Sequence, residues 1–383
     1  MRPRAVPTVF MRGGTSRALF FHRRDLPAAP QPHDNEAWND IFRAALGSPD
    51  PYGRQLNGMG GGQSSLSKIA IVAPSARDDA DVEFTFAQVG IIDPSVSYRG
   101  TCGNISSAVG PFAVDEGLVV AAGETADVRI FNTNTSKHVV ARFAVRDGRS
   151  VEAGDYDLPG VAGQAAPIRL SFVEPGGAAT GKLLPTGNTV DALRLTDRAV
   201  RATLIDAANP VVAVMASDLN LQGHETPGQL RDNAKAMARF EEIRIAAALA
   251  MGLVQDAEEA AVRVTNLPLV AIVADRRSDA DAGEPEADLQ VRMISAGLPH
   301  GAIPLTGALA LAVAAQIPDT LVSQALNDRL TPDRLRIAHA SGVIDVAASV
   351  ESGATGWVAH EAVVFRTARR LMEGRVLLPT AHL

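Results

Sequence analysis

The sequence predicts a mixed α/β protein built from two similar halves. Three observations carry that reading. β-rich segments alternate with helical ones through both halves of the chain. Two helices of small residues, each entered from a β segment and a turn, begin beside Cys102 and beside Pro304. The chain has 383 residues, 46% of them hydrophobic, enough to give two domains of ordinary size a core each.

Taken in order, Val6 to Met11 and Ala18 to Phe21 read as strands flanking the turn Arg12-Gly-Gly-Thr-Ser-Arg17. Trp38, Ile41, Phe42 and Ala45 recur at helical spacing, which predicts a helix over 35–46. Strands are predicted over 69–72, 81–92, 126–131 and 138–145, and a helix over 104–114 packed on Ala108, Val109 and Ala113. The loop-rich passage Glu174 to Asn188 is the candidate junction, dividing the chain into domains 1–185 and 186–383. The second half repeats the style. Strands over 202–205 and 211–215 precede one long Ala-rich helix over 229–251. Strands over 269–273 and 289–295 follow, separated by an acidic loop over 278–288, and then a small-residue helix over 307–315. Two helix N-termini of this kind could aim their dipoles at one anionic ligand.

Composition narrows the function. Three Tyr and two Trp leave little for base-stacking or carbohydrate platforms, and a net charge of −7 argues against a nucleic-acid footprint. No apolar run is long enough to span a membrane. The N-terminus, broken by Arg2, Arg4, Pro7 and Arg12, does not read as a secretory signal, so a cytoplasmic protein is expected. One cysteine excludes an internal disulfide and cysteine-based metal clusters. No metal site is expected, since His224-Glu225 lacks the second histidine of a zinc helix.

That single Cys102 is the most informative residue. It lies just before a helix start, where unpaired N–H groups and the positive end of the dipole favour a thiolate. The second feature is Gly58-Met-Gly-Gly-Gly-Gln-Ser-Ser-Leu-Ser-Lys68. Its glycines admit a ligand close to the backbone, Ser64 and Ser65 offer hydroxyls, and Lys68 at the mouth of an apolar strand is a credible acid/base. Arg12 and Arg17 bracket Thr15 and Ser16, a pairing that suits a carboxylate or phosphate. His300 sits in the loop before the second small-residue helix. Gly176-Gly-Ala-Ala-Thr-Gly-Lys182 imitates a phosphate loop, but Leu183 replaces the hydroxyl residue and Pro185 blocks the helix. It is a decoy.

Met11-Arg-Gly-Gly-Thr-Ser-Arg17, Gly47-Ser-Pro-Asp-Pro-Tyr-Gly53, the Gly58–Lys68 run, Cys102-Gly-Asn104 and Leu184-Pro-Thr-Gly-Asn188 together resemble the 2-methylaconitate cis-trans isomerase (PrpF) family. That family includes 4-oxalomesaconate tautomerases. The resemblance implies a diaminopimelate epimerase-like fold: two pseudo-equivalent domains, each a curled, mainly antiparallel sheet around a central helix, the last strand free to return to the first domain. It also implies a cofactor-independent 1,3-proton shift or cis-trans isomerisation of a small unsaturated tricarboxylate, with 2-methylaconitate favoured and 4-oxalomesaconate as the alternative. Lys68 and Cys102 would carry the proton. N–H groups at Gly103-Asn104 and Thr306-Gly307 would stabilise the enolate-like charge, with Arg12, Arg17, Ser64 and Ser65 on the remaining carboxylates. The epimerases of that fold have a second thiol where this chain has Pro304, which removes two-thiol racemisation. Arg17 stands where lysine is usual in the family. A non-catalytic carboxylate-binding protein is the other reading; the coexistence of Cys102 and Lys68 speaks against it. Size and resemblance are compatible with a homodimer.

Overall fold

The computed structural model describes residues 4–28, 36–98, 101–262, 264, 266–275, 287–295, 297–326, 334–354 and 356–379. Its contacts divide the chain into two compact units, Met1–Ser171 with Phe365–Leu383, and Phe172–Val364. The division falls ahead of the Glu174–Asn188 passage, and the final strand joins the first unit.

The first unit starts from a hairpin of β1 (Arg4–Gly13) and β2 (Ser16–His22). Helix α1 (Glu36–Leu46), strands β3 (Lys68–Pro74) and β4 (Val82–Val89) and helix α2 (Gly103–Asp115) follow. β1 pairs antiparallel with β2 on one edge and with the final strand Ala368–Leu378 on the other. β2 runs parallel to β3, β3 antiparallel to β4, and β4 parallel to strand Thr125–Asn132, which pairs antiparallel with Lys137–Arg146.

From Gly103 to Val114 every residue of α2 except Asn104 is buried. A helix buried around its whole circumference cannot rest on an open sheet with one side wet. It packs against both Ala368–Leu378 and Lys137–Arg146, at opposite ends of the strand order, so the sheet curls around it. The other face of the sheet is covered by α1, whose Trp38, Ile41, Phe42 and Leu46 pack on Phe10, Leu19, Phe21, Ile69 and Ile71. Burying each such side chain contributes roughly 1.5–3 kcal/mol.

The second unit repeats the connections. Ala199–Ala207 pairs antiparallel with Asn209–Met215, which is parallel to Leu269–Asp275. That strand is antiparallel to Leu289–Ser295, itself parallel to Leu335–His339, which pairs antiparallel with Gly342–Gly353. Helix Leu305–Ala315 occupies the same crossover as α2 and is buried except for Thr306. The same succession of antiparallel and parallel pairings occurs in both units, as the paired helix entries suggest. Among the described residues no helix is long and apolar enough to cross a membrane.

Some expectations change. The helix predicted over 229–251 is two helices, Pro227–Asp232 and Ala234–Ala250. Thr226 and Gln229 form a capping box on the first, and Asn233 caps the second by accepting from the Ala236 N–H at 3.0 Å. The strand predicted to run to 92 stops at Val89, because Gly90 N–H turns to the Ser95 carbonyl. Residues 278–286 of the acidic loop lie outside the described residues. Four strands between Leu335 and Leu378 are not signalled by the apolar pattern.

The imitation phosphate loop is already occupied by a carboxylate of the protein. Buried Asp206 accepts through Oδ2 from the Ala179 N–H at 2.8 Å, the Thr180 N–H at 2.7 Å and the Thr180 hydroxyl at 2.9 Å. Asp206→Ala leaves these donors unpaired, a loss of roughly 2–3 kcal/mol, read as a lower urea midpoint with faster proteolysis around 176–183. An unchanged midpoint would mean that water replaces the carboxylate without cost.

Candidate active site

Cys102 is the N-cap of α2, extended at φ −120° and ψ 101°, and its side chain caps nothing. Its carbonyl accepts from the Ser106 N–H at 2.9 Å and the Ser106 hydroxyl at 3.1 Å, so the helix begins there, and among the described residues the half-buried thiol has no partner. The N–H groups of a first helical turn have no partner within the helix and present positive potential. The approach to Cys102 is tied down from the turn after Thr125–Asn132. Asn132 donates to the Thr101 hydroxyl at 2.7 Å, and Asn134 donates to the carbonyls of Phe86 and Tyr98, both at 2.8 Å.

Asn104 joins the helix to two other segments. Its Nδ2 donates to the Thr15 hydroxyl at 3.1 Å, and its Oδ1 accepts from Arg366 Nε at 3.1 Å. The hairpin comes so close that a Cβ on Gly13 would lie 2.4 Å from the Asn104 carbonyl oxygen. Arg366 is 7% exposed and otherwise donates only to the Phe365 carbonyl, at 3.0 Å. Among the described residues no carboxylate pairs with it. Burial pushes this guanidinium down to about 10, with Tyr156 and Cys102 acting in the opposite sense.

Lys68 is 8% exposed at the start of β3, opposite Ala18 of β2. Phe20 and His22, on the same side of β2 as Ala18, stack on Phe112 of α2, so the Lys68 side chain belongs to the helix side of the sheet. Its Nζ donates to Gln88 Oε1 at 2.6 Å and lies 5.1 Å from the Phe86 ring centroid. Gln88 is itself held by the carbonyls of Ser64 and Ser67, at 3.1 and 2.9 Å. No ion pair reaches Lys68 among the described residues. The glycine-rich loop before it is organised by buried Gln55, which bonds the Ser67 hydroxyl at 2.8 Å and the Gly62 N–H at 3.1 Å. Ser64 and Ser65 stand in the short turn Ser64–Leu66, exposed and half-buried, with hydroxyls that have no partner among the described residues.

The structure thus gathers Lys68, Cys102, Gly103, Asn104, Thr15 and Ser16 on the helix side of one sheet. Arg12 and Arg17 go elsewhere. They face each other across the β1–β2 pair, one residue out of phase with Ala18, and so lie on the opposite side. Arg17 rests on Phe10 of that side, its guanidinium carbon 5.3 Å from the ring centroid. Arg12 Nη1 closes the hairpin by donating to the Gly14 and Thr367 carbonyls and the Thr367 hydroxyl. In the second unit, Thr306 lies in the first turn of Leu305–Ala315, with Asn209 Nδ2 3.4 Å from its hydroxyl. Gly307 admits the Met293 sulfur, which would be 2.4 Å from a Cβ there. Burial lowers the His300 imidazole below its ordinary range.

Arg366, Gln88, Asn132 and Asn134 hold this arrangement through hydrogen bonds, and the sequence reading did not include them in the site. Arg366 is far from every motif in the chain.

A family model described as "PrpF protein" matches residues 4–379. The chain is 40% identical to a 3-methylitaconate isomerase of Eubacterium barkeri, covering 99% of this chain and 98% of that one. It is 38% identical to a 2-methyl-aconitate isomerase of Cupriavidus necator (98% and 97% covered) and 36% to a 4-oxalomesaconate tautomerase of Pseudomonas putida (97% and 96%). A crystal structure of a methylitaconate-delta-isomerase superposes with TM-score 0.90 at 39% identity, over 100% of this chain and 97% of that one. A hydroxyproline epimerase from Agrobacterium vitis shares the fold, with TM-score 0.54 at 14% identity over 99% and 94%.

Asn104→Ala breaks the joint between helix, hairpin and Arg366 and leaves a buried cation short of an acceptor. The expected loss is roughly 2 kcal/mol, measured by urea denaturation. A stability equal to wild type would show that Arg366 rearranges to another acceptor.

Proposed function

The chain belongs to the PrpF family, and on that premise we propose that it is an isomerase moving a carbon–carbon double bond by a 1,3-proton shift. The substrate is a small unsaturated polycarboxylate, with 2-methylaconitate the first to try. The observation that supports this most directly is the pairing of an uncommitted thiol at the α2 N-cap with a buried ammonium on the same side of the sheet. Binding a carboxylate needs neither the thiol nor the burial of Lys68.

In the proposed step, a base takes a proton from the carbon next to a carboxylate or carbonyl. Its C–H electron pair becomes the new π bond while the old π pair moves toward the acceptor group, and a proton is returned two carbons away. Lys68 and Cys102 are the proton carriers. The unpaired N–H groups and dipole of the first turn of α2 face the charge that develops on the enolate-like intermediate, and being fixed in place they need no reorganisation during the reaction. Arg366, lacking a protein counter-ion, is suited to hold a substrate carboxylate beside Asn104 and Thr15. Ser64 and Ser65 supply further donors. Rotation within the intermediate accounts for a cis-trans outcome.

The tautomerase relative favours a second substrate, 4-oxalomesaconate, and the itaconate isomerase relative a third, 3-methylitaconate. All three ask for the same proton transfer, so one experiment separates them. Proton NMR in D₂O, one acid per tube, follows deuterium entering the substrate as its double bond moves; no exchange in any tube would overturn the proposal.

Cys102→Ser and Lys68→Met should each reduce kcat by roughly 10²- to 10⁴-fold with unchanged circular dichroism. Wild-type turnover in both would remove them as proton carriers. Arg366→Gln should raise KM by roughly 10- to 100-fold, more than it changes kcat, with Arg366→Lys recovering part of the loss. A loss confined to stability would make Arg366 structural.

A further inference from the structure

The registers of β1 with both neighbours place three arginines side by side. Arg12 is opposite Arg17 on β2 and opposite Arg369 on the final strand, so one rung across three strands carries three guanidinium groups. Side chains directly opposite each other across a sheet point to one face, and this face is the one turned away from α2. The rung lines a cavity of about 520 Å³ in the first unit, closed on another side by Glu152 and Gln164.

The charges there do not balance. Among the described residues Glu152 is the one carboxylate lining the cavity, and it is also engaged by the Arg370 backbone N–H at 2.7 Å. Arg369 is exposed, and among the described residues no hydrogen bond or ion pair engages its side chain. Arg17 Nε is buried with no hydrogen-bond partner. Burial lowers the Arg12 guanidinium, and Arg369 lowers it further against the pull of Glu152. Like charges directly opposite on a sheet destabilise it, and a buried donor left unpaired adds to that cost. A ligand carrying negative charge and several acceptor oxygens would relieve both.

We propose that the Arg17–Arg12–Arg369 rung is an anion-binding site, separate from the Lys68–Cys102 side of the sheet, that takes a small oxyanion of two or more charges. Guanidinium groups bind carboxylate and phosphate alike through paired N–H donors, and the cavity has the size of a metabolite pocket. The site does not depend on the proposed reaction, because its residues lie on the other face.

The test is calorimetric titration of the full chain at constant ionic strength with inorganic phosphate, pyrophosphate and tricarballylate in turn. Wild type should bind at least one of them with a dissociation constant below about 10 mM. Arg369→Gln, on an exposed strand position, should weaken that binding about tenfold or more while leaving turnover as in wild type. In a ¹⁵N spectrum the Arg17 Nε–H signal should move as the site fills. Tighter phosphate or pyrophosphate binding would identify a phosphorylated ligand, and tighter tricarballylate binding a polycarboxylate. Equal affinity in wild type and Arg369→Gln, an Arg17 signal that stays put at saturation, or no binding of any of the three anions would overturn the proposal.

Discussion

Because α2 is buried around its whole circumference, the backbone donors it can present to a ligand are those of its first turn. Everything around that turn follows from the burial of the helix behind it. The sheet has to curl to cover Ile105 to Val114, and the β1–β2 hairpin then meets the helix start end-on. Gly13 lets the two backbones approach, since any side chain there would collide with the Asn104 carbonyl. Asn104, the single residue between Gly103 and Val114 that escapes burial, is then the one side chain able to bond both the hairpin tip and Arg366.

A second regularity is electrostatic. Lys68 and Arg366 are both more than nine-tenths buried and neither has a carboxylate partner among the described residues. Taking a cation out of water without pairing it is costly, and many of the chain's other arginines are paired with aspartate or glutamate. The two cations are held by neutral acceptors, Gln88 for one and Asn104 for the other. A buried cation held this way is more stable with an anion beside it than without one, which fits the polycarboxylate substrate proposed. Fixed donors in a partly dry site also act on a developing negative charge more strongly than mobile water does.

Much of this was legible in the sequence, for identifiable reasons. A thiol before a small-residue helix, a lysine opening an apolar strand and a glycine-rich loop are local signals, and the structure keeps Cys102, Lys68 and the Ser64–Ser65 turn where those signals put them. What failed was nonlocal or depended on phase. Arg366 follows Asn104 by 262 residues, and no spacing rule connects them. Arg12 and Arg17 were visibly partners because a tight turn separates them. Which face of the sheet they share is decided by where α2 packs, and the turn does not contain that information. The single Ala-rich helix divided because Asn233 can cap a second start, a choice that periodicity does not register. The C-terminal strands escaped because charged residues interrupt their apolar pattern, as in Ala368-Arg-Arg-Leu-Met-Glu-Gly-Arg375.

The two units share their order of strand pairing and their buried helix, yet the helix starts differ in chemistry. In the first, the N-cap is Cys102 and the second helical residue is Asn104; in the second, these positions are Pro304 and Thr306. Proline has no thiol, no ionisable group and no backbone N–H. The second start can therefore contribute a dipole and a hydroxyl, but no proton carrier at its N-cap. A reaction that removes a proton from one face of a carbon and replaces it on the other needs a carrier on each side of that carbon. A reaction that moves a proton between two carbons along one conjugated system needs its carriers near each other. On the proposed reading Cys102 and Lys68, which lie in one unit and on one side of one sheet, are those carriers, and this is the physical argument for proposing an allylic shift rather than racemisation.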